Sequence, residues 1–231
     1  MLKKILNNFW ILRSIIPTIY FNFHYLPLRQ AIKLPIFLYK PKLLNISGAV
    51  KIEGKISTGM IQLGKNCIPL YPNTGIVFEN LGGTIIFKGK CGIGNNSAIS
   101  VGNKGSLIIG SNFNASTTLK LVCWHSIQFE DDVLCGWDCL FMDTDFHQLS
   151  YTDSTSKPKA IAPIHIGKNC WFALKCTVMK GTVLADNNVI AASSLLNKDY
   201  SDASYCLLAG QPAMIKKRNI YRNPLADKVE Y

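Results

Sequence analysis

At 231 residues, 48% of them hydrophobic, the chain is long enough to bury one full core, with room for a small appendage at most. Only 17% of the residues are charged, yet the net charge is +11, and no apolar run reaches the ~18–20 residues that a transmembrane helix needs. The eight cysteines form no CxxC pair and follow no recognisable signal peptide. They are therefore expected to be reduced, in a cytoplasmic protein, rather than a disulfide framework.

The charge is uneven along the chain. Residues 1–55 hold nine Lys or Arg against one acid, Glu53, and a second basic cluster stands at Lys216, Lys217, Arg218 and Arg222. Such patches suit anionic partners. Nucleic acid is the weakest fit, because the charge sits at the two ends with no recognisable binding module.

Residues 1–45 form a first unit, basic, aromatic and punctuated by prolines. Residues 2–16 are expected to be an amphipathic helix, with Leu2, Ile5, Leu6, Phe9, Leu12 and Ile16 on one stripe and Lys3, Lys4, Asn7 and Arg13 outside it. Pro17 and Pro27 interrupt the uncharged stretch that follows. Two compatible readings stay open: a cap over the open end of the fold, and a helix lying on an anionic membrane surface.

From about Asn45 the chain is β-rich. Val50/Ile52, Ile61/Leu63, Ile85/Phe87 and Ile93/Ile99 mark short strands between Gly and Asn. A six-residue phase then appears at Ile109, Ala115, Leu121, Ile127, Val133 and Cys139. It lapses over residues 145–163, a polar segment read as a loop that leaves the main body and returns; loops of this length are usually functional. The phase resumes at Ile166, Phe172, Val178, Leu184, Ile190 and Leu196. The fifth place of each hexad is small or polar: Cys170, Cys176, Thr182, Asn188 and Ser194. Residues 200–231 are expected to leave the repeat, with Leu207–Ile215 packing back on it.

A period of six fits neither a helix (~3.6) nor a plain strand (~2). It fits a chain that turns a corner every six residues, so three hexads make one triangular coil and stacked coils bury a column of aliphatic side chains. Gly167, Asn169, Asp186 and Asn187 supply corner residues that tolerate left-handed backbone. The fold class expected for residues 46–199 is all-β, a parallel β-helix.

Residues 109–219 resemble the hexapeptide-repeat acyltransferases, in particular maltose, galactoside and xenobiotic acetyltransferases and their relatives that O-acetylate surface polysaccharides. The resemblance rests on "IGSNFNAS" (109–116), "DTDFH" (143–147), "IHIGKNCWFALKCTVMKGTVLADNNVIAASSLLNKD" (164–199) and "AGQPAMIKK" (209–217). It departs from the family where glycines give way to Ala173, Ala185, Ala191 and Ser193, which narrow the groove beside the coil. It also has Phe172 for the usual Ile and Asn197 for Thr. The resemblance implies a left-handed helix, an exception to the usual hand of parallel crossovers. It also implies a homotrimer with each site between two subunits, acetyl-CoA as donor, and a sugar or glycan acceptor, polymeric or lipid-linked, with no metal.

Acetylating a hydroxyl near neutral pH needs a base for the departing proton, and histidine suits the task. Of His24, His125, His147 and His165, the resemblance puts His147 in that role, with Asp143 or Asp145 holding its tautomer. Alternation along a strand puts both carboxylates on one side and does not separate them. The resemblance further assigns Asn112, Asn114 and Trp137 to the acceptor side. It assigns Trp171, Ala173, Ala192, Ser193, Lys198 and Lys217 to coenzyme A.

Three other readings compete. A zinc enzyme on the same fold would need three converging histidines, and no H-x4-H pair exists. A sugar-binding scaffold would need only the aliphatic column, not "DTDFH". An amine acceptor, as in N-acetylation of an amino sugar, fits the residues as well as a hydroxyl does.

Overall fold

The computed structural model describes residues 2–227, with side chains from residue 13 onward. Three parallel sheets form a triangular prism, wound as a parallel β-helix. Face A begins with β1 (Ile36–Leu38) and runs through Ile61–Lys65, Cys91–Gly94, Phe113–Thr117, Leu134–Trp137, Trp171–Phe172, Val189–Ile190 and Cys206–Gly210. The antiparallel strand Ala213–Arg218 closes it. Face B includes Lys120–Cys123, Leu140–Met142, Thr177–Met179 and Leu195–Leu196, and face C includes Ser126–Phe129, Ile164–Ile166, Val183–Leu184 and Asp199–Tyr200.

The hexad phase is the register of this prism. Ile166 pairs with Leu184 on face C, Phe172 with Ile190 on face A, and Val178 with Leu196 on face B. All six side chains are fully buried, and so are the small corner residues Cys170, Cys176, Thr182 and Asn188. Burying side chains of this size stabilises by about 1.5–3 kcal/mol each. Phenylalanines fill the middle of the column: Phe113, Phe129, Phe141 and Phe172 meet edge to face at centroid distances of 4.9, 4.9 and 5.1 Å.

Left-handed residues turn the corners. Asn112, Asp132, Asn169 and Asn187, with φ of 60°, 63°, 53° and 61°, stack at the C-to-A corner. Asn is among the few non-glycine residues that take this conformation readily. The stack is stitched by Asn112 donating to Asp132 (3.1 Å) and Asn169 donating to Asn187 (2.9 Å).

The expected boundaries shift at both ends. The coil starts before residue 46, because β1 pairs with Ile61–Leu63. It also runs past residue 199, because Leu207 and Leu208 continue face A beside Val189 and Ile190. The earlier coils are longer than eighteen residues, as the corner positions Asn96, Thr118 and Asp138 show, so the six-residue phase expected over Ile109–Cys139 is not their register: Ile109 pairs with Phe129 rather than with Ile127. Seven of the eight cysteines are buried and Cys67 is exposed. Burial pushes the Cys170 thiol up to about 12.

Helix α1 (Leu2–Tyr25) is longer than expected and runs through Pro17. A short helix α2 (Leu28–Ala31) follows Pro27. The expected stripe at Leu2, Ile5, Leu6, Phe9 and Leu12 lies outside the described side chains. From Ser14 on, α1 caps the end of face A. Asn22 Oδ1 accepts from the Ile36 N–H (3.1 Å) and its Nδ2 donates to the Ile36 carbonyl (2.7 Å). Thr18 Oγ1 accepts from the Leu38 N–H (2.9 Å), and Ser14 Oγ accepts from the Lys40 N–H (3.1 Å). Three side chains at helical spacing thus satisfy alternate backbone groups on the open edge of β1, the edge that would otherwise invite another strand.

Candidate active site

The strand Leu140–Met142 on face B ends at the B-to-C corner, and the chain leaves the prism there. Its two legs are tied together: the Asp145 N–H donates to the Ala160 carbonyl (2.8 Å) and the Ala162 N–H to the Asp143 carbonyl (3.2 Å). Gln148 Nε2 donates across the loop to the Pro158 carbonyl (2.7 Å). His147 sits in this excursion, exposed, and makes no hydrogen bond among the described residues. Beside it a concavity of about 550 Å³ is lined by His125, Gln148, Lys159, Ala160, Ile161 and Pro163 among others.

The two carboxylates separate. Asp143 is fully buried, and its oxygens accept the backbone N–H groups of Trp124 (2.7 Å) and His125 (2.8 Å). It ties the loop's root to the preceding coil and does not orient His147. The expected equivalence of Asp143 and Asp145 fails because the strand stops at Met142, so alternation does not extend across the corner. Asp145 is half-buried and pairs with Lys180 Nζ at 2.9 Å. Neither carboxylate touches the imidazole within this chain.

The remaining candidates fall on other parts of the prism. Asn112 and Asn114 line a polar concavity of about 510 Å³ on face A, with Ser57, Thr58, Gln62 and Lys90. Trp137, at the A-to-B corner, meets Tyr71 edge-on at 5.7 Å. Tyr71 belongs to a loop that folds over this corner and donates to Asp138 Oδ2 at 2.7 Å. That hydrogen bond holds the Tyr71 hydroxyl above its ordinary pKa, with desolvation adding to the shift. Trp171 is outward and partly exposed on face A.

Ala173, Ala192 and Ser193 follow at the A-to-B corner. The Ala173 N–H donates to the Ile190 carbonyl and the Ser193 N–H to the Leu174 carbonyl. Gln211 Nε2 donates to the Ser193 carbonyl at 2.7 Å. Ala192 is exposed and makes no hydrogen bond among the described residues. A small side chain beside an open peptide group fits the amide-bearing arm of coenzyme A, so Ala192 fits that group better than the bonded peptides of Trp171, Ala173 and Ser193. Lys217 is exposed on the closing strand of the same face. Lys198 lies instead at the B-to-C corner, its ammonium 5.4 Å from the Tyr200 ring centroid.

The structure therefore brings His147, Asp145 and Lys198 to one edge of the prism, and Trp137, Ala173, Ala192 and Ser193 to another, with Trp171 on face A nearer its C-to-A side. Sequence reasoning missed Lys180 and gave His125, Gln148 and Lys159 no place beside His147. The excursion breaks the six-residue count, so nothing in the sequence aligns Asp145 with Lys180 in the next coil.

No family model matches the chain. It is 30% identical over 148 residues to an uncharacterized 24.8 kDa protein in the cps region of Klebsiella pneumoniae, covering 64% of each chain. Over 91 residues it is 30% identical to the galactoside O-acetyltransferase of Escherichia coli (strain K12), covering 39% of this chain and 44% of that one. The chain thus spans less than two thirds of either relative. Over part of its length it is similar to acetyltransferases. Among solved structures, the polySia specific acetyltransferase NeuO aligns with 83% of this chain and 75% of its own, at 19% identity and a TM-score of 0.49.

Proposed function

We propose that this protein is a hexapeptide-repeat acyltransferase, an acetyl-CoA-dependent O-acetyltransferase acting on a sugar hydroxyl of a surface polysaccharide or its precursor. The observation that carries the reading is the excursion at the B-to-C corner, which holds an exposed, unpartnered His147 next in sequence to Gln148, a lining residue of the concavity there. A related galactoside O-acetyltransferase and a relative from a cps region support the reaction and its setting.

His147 acts as general base. Its free ring nitrogen takes the acceptor hydroxyl's proton as the oxygen attacks, and the imidazolium then returns a proton to the leaving group. Bound acetyl-CoA supplies the acetyl group as a thioester. Gln148 and Lys159, beside His147, hold acceptor hydroxyls. Trp171 and Ala192 bind the arm of the donor, and Lys217 meets its phosphates as a point charge.

His147 and Ala192 stand at different edges of one prism, so a site that uses both needs two copies. A homotrimer would set each B-to-C edge against the next copy's A-to-B edge. It also leaves orientation of His147 to the neighbouring copy or the acceptor, since Asp143 and Asp145 are engaged elsewhere. Calorimetric titration with acetyl-CoA tests the reading: saturable binding near one site per chain is expected, and no heat at millimolar donor overturns it.

A further inference from the structure

Helix α1 presents its faces in an unusual order. Its coil-facing side spends Ser14, Thr18 and Asn22 on the edge of β1. Its outward side is apolar: Ile16 is 62% exposed, Ile19 44% and Phe23 49%. Leu28 and Ile32 extend the patch at 68% and 62% exposure. An open apolar cleft of about 530 Å³, lined by Ile15, Ile19, Leu34 and Phe37 among others, adjoins it. Contiguous exposed apolar surface of this kind marks a docking site.

Charge identifies the occupant. Residues 1–52 carry Lys3, Lys4, Arg13, Arg29, Lys33, Lys40, Lys42 and Lys51 and no Asp or Glu. Exposed Arg29 and Lys33 alternate with exposed Leu28 and Ile32. A second copy docking by the same face would bring like charges together, which is costly. Apolar side chains flanked by basic ones suit the boundary between acyl chains and anionic headgroups. No helix among the described residues is long and apolar enough to cross a membrane.

We propose that the outer face of α1, with Leu28 and Ile32, lies on an anionic lipid surface, its apolar side chains at the acyl boundary and Arg29 and Lys33 at the headgroups. The axis of the prism then stands away from the bilayer and its edges remain open. This rests on the surface alone, and holds or fails independently of the acetyl transfer.

The test is co-sedimentation of the full chain with vesicles of phosphatidylcholine, alone or mixed with phosphatidylglycerol. Expected is binding to the mixed vesicles that falls as salt rises, and little binding to phosphatidylcholine alone. Arg29→Gln with Lys33→Gln should weaken partitioning by roughly thirtyfold, about fivefold for each basic residue at the surface. Ile16→Ser with Phe23→Ser should abolish it while leaving the melting temperature and acetyl-CoA binding unchanged, since neither side chain packs in the core. Equal binding to both vesicle types, no binding to either, or a patch variant that binds as the wild type would overturn the proposal. So would a change of oligomeric state in the patch variant, which would place a second copy on this face.

Discussion

Lys180 of the coil after the excursion reaches back to Asp145 at the excursion's first leg, with Nζ and Oδ2 2.9 Å apart. This pair, with the backbone bonds of Asp145 and Ala162, fixes where the loop leaves the prism and so where His147 stands. Both partners are about a quarter exposed, so the pair contributes little to global stability, about 1 kcal/mol or less. Its effect is positional. Lys180→Ala is expected to lower kcat roughly tenfold with a melting temperature nearly unchanged, and Lys180→Arg to restore most of the loss. A kcat that survives Lys180→Ala would show that the ion pair does not position the loop.

Asp143 makes the opposite prediction. Its buried carboxylate is the partner of two backbone N–H groups, so Asp143→Ala orphans both. Each buried unsatisfied group costs about 1–3 kcal/mol. The variant should lose several kcal/mol in urea unfolding, and Asp143→Asn should keep part of that. A stable Asp143→Ala protein with abolished turnover would return Asp143 to a catalytic role.

The same argument applies at the other end of the molecule. Asn22→Ala removes both bonds to Ile36 at a fully buried site. It is expected to cost about 2–6 kcal/mol, from two groups at about 1–3 each, read as a lower denaturant midpoint. An unchanged midpoint would mean that water replaces the side chain and the cap is looser than the hydrogen bonds imply.

The sequence showed the later coils well and the earlier ones poorly. Ile166 through Leu196 keep strict six-residue spacing, and each became a core position, because every coil there closes in eighteen residues. Asn96, Thr118 and Asp138 are 22 and 20 residues apart, so the early coils have no constant period, and β1 was assigned to the N-terminal segment. Pro17 read as a helix breaker, but the bonds from Thr18 and Asn22 to β1 hold the helix across it. At the site, His147 was legible as a residue type in a motif. The partners of Asp143 and Asp145 were not, because they come from neighbouring coils across a break in register.

Glu130 gives a pH dependence with a defined sign. Burial opposes its charge, but hydrogen bonds from Gln128 and His165, with Lys88 nearby, outweigh that and lower its pKa below the ordinary 4.5. A lowered folded-state pKa contributes stability that is fully present above the unfolded value and is lost as pH falls through the folded one. Stability should therefore decline as pH drops below about 4.5, and Glu130→Gln should flatten part of that decline. The group is largely solvent-screened, so the effect is small. A Glu130→Gln midpoint that tracks the wild type from pH 6 to 3 would remove Glu130 from the explanation.

The most direct measurement is the rate of CoA thiol release from acetyl-CoA in the presence of a panel of glycans and sugars, for wild type and His147→Ala. The account predicts acceptor-dependent release by the wild type. His147→Ala should lose roughly 10²–10⁴-fold, the range for a general base, while binding acetyl-CoA as before. Wild-type turnover that persists in His147→Ala would contradict the assignment of the base, and with it the site built around the excursion loop.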